Sequence, residues 1–183
     1  MAEVKILVEG YLSAETEGRS CSTIVLIKDK NMNMIVDPGS LPDQSLIAER
    51  LKKEGLTVND INIVFITHSH MDHYRNIGMF PKAKALDYWG WRDGDVWSEC
   101  DGKISEDIRM IKTPGHSYDS STLLVKTKQG LVAICGDVFW KKDFPKDDPY
   151  ASDKQKLKQS RKKVLEMADW VIPGHGKMFR VEK

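Results

Sequence analysis

The chain has 183 residues, with 28 Lys and Arg against 27 Asp and Glu and a formal net charge of +1, so it lacks the overall electrostatic signature of a protein built to hold nucleic acid or an anionic bilayer. At 40% hydrophobic and 30% charged it lies outside both disordered and membrane-embedded compositions, and its length fits one domain, expected over residues 1–183. Three cysteines, Cys21, Cys100 and Cys135, with no Cys-x-x-Cys spacing, argue against a disulfide framework and a thiolate zinc knuckle.

The first residues carry Glu3 and Glu9 where a secretory leader has a basic flank and an unbroken apolar run, which makes the cytoplasm the expected compartment. Short β-type runs follow at 5–8, 23–27 and 34–36, with Asp29, Lys30 and Asn31 as a hairpin turn between the last two. Residues 44–54 place Leu46, Ile47 and Leu51 at helical spacing before Gly55 ends the segment, predicting a helix that packs one face. The apolar, β-branched run 61–67 is too short for a helix and predicts a buried strand leading directly into His68. Further strands are expected at 108–111, 122–125 and 131–135. A second helix is expected at 153–168, with Leu157, Val164, Leu165 and Ala168 on one side, and then a last strand at 170–172. No apolar run is long enough to cross a bilayer.

Immediately after the 61–67 strand comes Thr67-His68-Ser69-His70-Met71-Asp72-His73. Three imidazoles and a carboxylate in six residues is metal-ligand density. If the backbone stays extended, His68 and His70 point the same way, while Asp72 and His73 at the start of the next turn face a neighbouring point. Imidazole and carboxylate without thiolate suit Zn, with Fe and Mn as alternatives, and suit a hydrolytic site better than a closed structural one. The other two histidines, His116 in Pro114-Gly115-His116 and His175 in Pro173-Gly174-His175-Gly176, also follow β-type runs. So do Asp137 and Asp37. Singly, each of these is an ordinary turn sequence; beside the histidine cluster they become partners for it.

These ordered motifs, Asp37, His68-Ser69-His70-Met71-Asp72-His73, His116, Asp137 and His175, resemble those of the metallo-β-lactamase superfamily from about residue 23 to 181. The runs 76–81 and 168–176 are similar to its small single-domain branch. The resemblance implies a four-layer αβ/βα sandwich of two mixed β-sheets with helices outside, and a two-metal site at one edge. It assigns His68, His70 and His116 to one ion, Asp72, His73 and His175 to the other, and Asp137 as their bridge, with Asp37 orienting a ligand histidine. Asp72 would double as the catalytic proton carrier.

The reaction expected is hydrolysis of a small ester, thioester or lactone by water activated between two divalent ions. A nucleophile elbow of the Gly-x-Ser-x-Gly type is absent. The alternatives are a phosphodiesterase or ribonuclease on the same site, and a mononuclear iron oxygenase of thiols or persulfides. The expected partner is a small-molecule substrate, with nucleic acid not favoured, no membrane, and a monomer or homodimer. The run 88–97 holds three of the five tryptophans and reads as a loop that either walls an acyl pocket or pins itself to the body. Phe139 and Trp140 are a second aromatic candidate. Arg75 either meets an anionic substrate or is a plain surface arginine. The lysines of 154–163 read as a solvated helix face, with nucleic-acid contact as the other option.

Overall fold

Period-two alternation of apolar side chains builds the first half of the molecule. The computed structural model describes residues 1–12 and 18–182. In it β1 (Glu3–Val8), the short β2 (Tyr11–Leu12) and β3 (Ser20–Cys21) precede β4 (Ile24–Asp29) and β5 (Met32–Val36), which form an antiparallel hairpin. The turn falls where expected, with Lys30 at φ 54°. Along β4, Val25 and Ile27 enter one apolar cluster while Ile24 and Leu26 enter another on the opposite face. A strand buried on both faces belongs to an inner layer.

Helix α1 (Ser45–Lys53) covers that second face with Ile47 and Leu51, both fully buried. Each such side chain contributes about 1.5–3 kcal/mol of burial. The helix stops because Gly55 takes φ 75°: its N–H bonds the Lys52 carbonyl and the Leu56 N–H bonds the Leu51 carbonyl, which satisfies two otherwise orphaned acceptors. The crossover lets β6 (Ile63–Phe65) run parallel to β5. The one-turn α2 (Met71–Tyr74) follows, then β7 (Lys84–Asp87), parallel to β6, and the antiparallel pair β8 (Gly90–Asp93) and β9 (Val96–Ser98). The first sheet is ordered β1-β4-β5-β6-β7-β8-β9.

The second sheet repeats the device. Strands β10 (Ile108–Lys112), β11 (Ser121–Thr127) and β12 (Gly130–Ile134) form an antiparallel meander. Helix α3 (Lys154–Met167) then crosses back to β13 (Trp170–Ile172), parallel to β12, and β14 (Phe179–Arg180) closes the edge. Asp153 caps α3 by accepting from the Lys156 N–H at 2.9 Å. Leu123, Val125, Val132 and Ile134 face Val25, Ile27, Met34, Val36 and Phe65 between the sheets. Leu124, Ala133 and Val171 face outward against Leu157 and Val164 of α3 and Ala168 just past its end. The order helix, sheet, sheet, helix is the four-layer αβ/βα arrangement, with mixed sheets. No helix among the described residues is long and apolar enough to cross a membrane.

Two local expectations give way. The run 88–97 is not a loop: it carries the β8–β9 hairpin, turned at Gly94 with φ 61°, and one tryptophan alternates inward. Trp91 packs on the inter-sheet core, whereas Trp89 and Trp97 stay about half exposed and Arg92 lies over the Trp97 ring at 5.7 Å. Charged residues between the tryptophans mask the strand pattern. The strand at 170–172 is also not the last, because β14 pairs with it. On α3 five lysines are exposed, but Arg161 of the same run points inward, donating from Nε to the Val138 carbonyl at 2.9 Å and from Nη1 to that of Lys146 at 3.1 Å.

Candidate metal centre

Strands β5, β6, β12 and β13 all deliver the chain to the same edge of the sandwich. Asp37 follows β5, His68 is three residues past β6, Asp137 sits in a 3₁₀ turn after β12, and His175 is three residues past β13. His116 comes from the loop after β10. The strand ends thus gather all five histidines, as their sequence contexts suggested. The 67–70 segment bends instead of continuing extended, so His68 and His70 meet through different ring atoms.

The first cluster is His68, His70, His116 and Asp137. His70 Nδ1 lies 2.9 Å from His68 Nε2 and 3.0 Å from His116 Nε2. His116 already donates through Nδ1, to Asp148 Oδ2 at 2.7 Å, so its Nε2 presents a lone pair. A single proton on His70 Nδ1 cannot serve two such neighbours. Three ring nitrogens converging in this way are chemically consistent with a cation among them.

The second cluster is Asp72, His73 and His175, set by the same logic. His73 donates from Nδ1 to Asp37 Oδ2 at 2.7 Å, and His175 from Nδ1 to the Cys21 carbonyl at 3.0 Å, turning both Nε2 atoms inward. His175 Nε2 is 3.6 Å from Asp72 Oδ2. His73 Nε2 and Asp137 Oδ1 are buried without any hydrogen-bond partner, 3.4 Å apart. Asp137 reaches both clusters, with Oδ2 3.4 Å from His116 Nε2 and Oδ1 3.2 Å from His175 Nε2. Orphaned buried acceptors are costly, and the donor set around them fits divalent ions in both clusters.

The electrostatics carry the same signature. Burial, together with the neighbouring imidazoles, holds His68 well below the ordinary histidine range, and burial likewise lowers His70, the least buried of the four. Burial opposes charge on His73 too, yet Asp137 and Asp37 outweigh it and hold its proton well above the usual value. Asp137 is kept well below the usual carboxylate range by His175 and His73, against the penalty of its own burial.

The scaffold is shaped to this arrangement. Asp37 sits at φ 48°, a left-handed conformation that Asp adopts more readily than most residues, and its Oδ1 and Oδ2 accept from the Thr67 N–H and hydroxyl at 2.8 and 2.7 Å. A Cβ at Gly174 would collide with Asp137 Oδ1, so only glycine lets the β13 loop pass the carboxylate. Two contributors have no signal in the motifs. Asp148, buried and bonded to His116 and to the Tyr150 N–H, sits in an Asp-Asp-Pro stretch that reads as a surface turn; the Cys21 carbonyl is backbone. Asp119 also holds the Ser69 N–H at 3.1 Å.

Of the aromatic candidates, Trp140 is buried with its ring 6.1 Å from that of His116 and stacks on Tyr150. Phe139 turns away, onto Phe179 and Arg161. Exposed Trp89 lies 6.3 Å from Tyr118, two residues past His116. Arg75 lines a cleft together with Asp72.

A family model described as the metallo-beta-lactamase superfamily matches residues 18–99. Metallo-beta-lactamase domain-containing protein 1 of Xenopus laevis is 31% identical, the match covering 98% of this chain and 82% of that protein. Its Homo sapiens counterpart is 32% identical, with 81% of this chain matched to 59% of the longer human protein. Among solved structures, a metallo-beta-lactamase-type protein of Thermotoga maritima superposes with a TM-score of 0.75 at 24% identity, covering 98% and 99% of the two chains. An N-acyl homoserine lactone hydrolase, with N-hexanoyl-L-homoserine bound at its catalytic metal centre, superposes with a TM-score of 0.68 at 17% identity over 95% and 92%. At these identities the structures share the fold.

Proposed function

Because the chain belongs to the metallo-beta-lactamase superfamily, we propose that it is a binuclear metallo-hydrolase acting on a small ester, thioester or lactone, with zinc as its metal. His68, His70 and His116 would hold one ion and Asp72, His73 and His175 the other, with Asp137, which reaches both clusters, as a donor common to the two. Divalent ions held there would supply Lewis acidity, lowering the pKa of bound water toward neutrality and polarising the scissile carbonyl.

The protein's own residues supply the rest. Asp37, Asp148 and the Cys21 carbonyl accept the Nδ1 protons of His73, His116 and His175, which fixes the tautomer that leaves each Nε2 free to ligate. Asp72, partly exposed beside the cluster, takes the proton released by the attacking water and returns it to the leaving atom. Tyr118 and Trp89, both exposed, offer apolar surface to an acyl group. The structural likeness to a lactone hydrolase with product at its metal centre supports lactones within this substrate class.

The observation that carries the reading is the convergence of His68, His70 and His116 ring nitrogens within 2.9–3.0 Å of His70 Nδ1, beside the orphaned His73 Nε2 and Asp137 Oδ1. The test is metal analysis of the purified protein together with a chromogenic panel of esters, thioesters, lactones and phosphodiesters. Two zinc equivalents and ester or lactone turnover that disappears in His70→Ala are expected. Turnover that survives in His70→Ala or after chelation refutes the reading, as does turnover confined to phosphodiesters.

A further inference from the structure

Beside the histidine cluster lies a cleft of about 590 Å³, lined by Tyr11, Arg19, Ser20, Ser40, Asp72 and Arg75 among others. Asp72 is therefore common to this cleft and to the proposed metal centre. Arg75 is placed there by α2. It caps the helix in helical conformation, φ −48° and ψ −36°, with its N–H on the Met71 carbonyl at 3.0 Å. Helical residues three apart share a face, their Cβ atoms about 5–6 Å from each other, so Arg75 stands on the same side as Asp72.

A surface arginine in that position has a carboxylate within reach for an ion pair. Here Asp72 Oδ2 turns instead toward His175 Nε2, and among the described residues the Arg75 guanidinium has no hydrogen bond or ion pair. Nor is the segment carrying it free to swing away. Next to it, buried Asn76 accepts from Gln44 Nε2 at 2.9 Å, donates to the Pro38 carbonyl at 3.4 Å, and bonds the Gly39 carbonyl through its N–H at 3.1 Å. Ser40 Oγ donates to the Ser20 carbonyl at 2.7 Å, tying the adjoining rim together. The result is an exposed arginine carried on an anchored turn, three residues along the helix from Asp72, with Arg19 also lining the cleft.

Resting on the hydrolase reading, we propose that this cleft is the subsite for an anionic group, a carboxylate or phosphate, on the part of the substrate remote from the scissile bond. The substrates are then anionic esters, thioesters or lactones, and Arg75 determines that specificity. A guanidinium binds either oxyanion through two parallel N–H donors. A protein with a net charge of +1 provides no general attraction for anions, so the selectivity has to be local.

The test compares mono-4-nitrophenyl glutarate with the neutral 4-nitrophenyl pentanoate on the zinc-loaded protein and its Arg75→Gln and Arg75→Glu variants. The ratio of kcat/KM for the anionic over the neutral ester should favour the anion, fall by about tenfold or more in Arg75→Gln, as expected for loss of a charge-assisted contact, and fall further in Arg75→Glu. Calorimetric binding of glutarate against butyrate to the same proteins gives a second readout, in which the gain from the extra carboxylate should vanish with Arg75. Phenyl phosphate in the same titration separates phosphate from carboxylate preference. An unchanged ratio, or glutarate binding that ignores Arg75, overturns the proposal. Failure to hydrolyse these esters or any thioester or lactone of the panel, with glutarate binding still dependent on Arg75, refutes the hydrolase reading and leaves the anion subsite standing.

Discussion

Asp148→Asn isolates what a carboxylate outside the motif does for the site. The wild-type side chain is fully buried, with Oδ2 2.7 Å from His116 Nδ1 and Oδ1 accepting the Tyr150 N–H at 2.9 Å. Asparagine keeps an acceptor and nearly the same volume but removes the charge that holds the His116 proton on Nδ1 and makes Nε2 a stronger base. A hydrogen bond to a charged group is worth about 1.5–3 kcal/mol. Independently, loss of a partner that orients a ligating histidine costs about 10–100-fold in metal affinity, or roughly 1.4–2.8 kcal/mol. Zinc affinity measured by competition with a chromogenic chelator should therefore fall by about 10–100-fold. The chelated variant should melt within a few degrees of the chelated wild type, because the asparagine still satisfies the Tyr150 N–H. Zinc affinity within twofold of wild type would refute the reasoning, as would a loss of stability in the chelated state with affinity intact.

Gly174→Ala should fold but lose metal, since the added Cβ displaces Asp137 Oδ1; circular dichroism like wild type with less than half the zinc content is the expected result. In the chelated protein, His73 holds its proton well above the usual range through Asp137 and Asp37. That stabilisation is complete below the unfolded value of about 6.5 and is lost as pH rises through the raised folded value. The melting temperature of chelated protein should therefore decline from neutral toward alkaline pH more steeply than that of the zinc-loaded form, as followed by calorimetry. Burial raises the thiol pKa of both Cys21 and Cys135, whereas Cys100 is partly exposed. One thiol per native chain should react rapidly with a disulfide reagent and three after denaturation.

The legible parts of this protein were those written in short range. The helical spacing of Ile47 and Leu51 with Gly55 behind them, the alternation along β4 and β5, and the density of His68, His70, Asp72 and His73 each depend on neighbours a few residues apart, and each appears in the structure close to where the sequence placed it. The β8–β9 hairpin escaped because Arg92, Asp93 and Asp95 interrupt the apolar pattern at a sheet edge where one face is solvated. Strand β14 escaped because two residues carry no periodicity.

What the sequence determined by itself was therefore the inner strands, the two long helices and the chemical kind of the site: imidazole and carboxylate at strand ends, without thiolate. Only the tertiary structure decided which nitrogen of each ring faces inward, because that depends on hydrogen bonds to Asp37, Asp148 and the Cys21 carbonyl from 32 to 154 residues away along the chain. It also decided that Asp137 touches both clusters and that Arg75 is left unpaired beside Asp72 among the described residues. Such long-range contacts arise when two sheets close on a common core, and no local pattern encodes them.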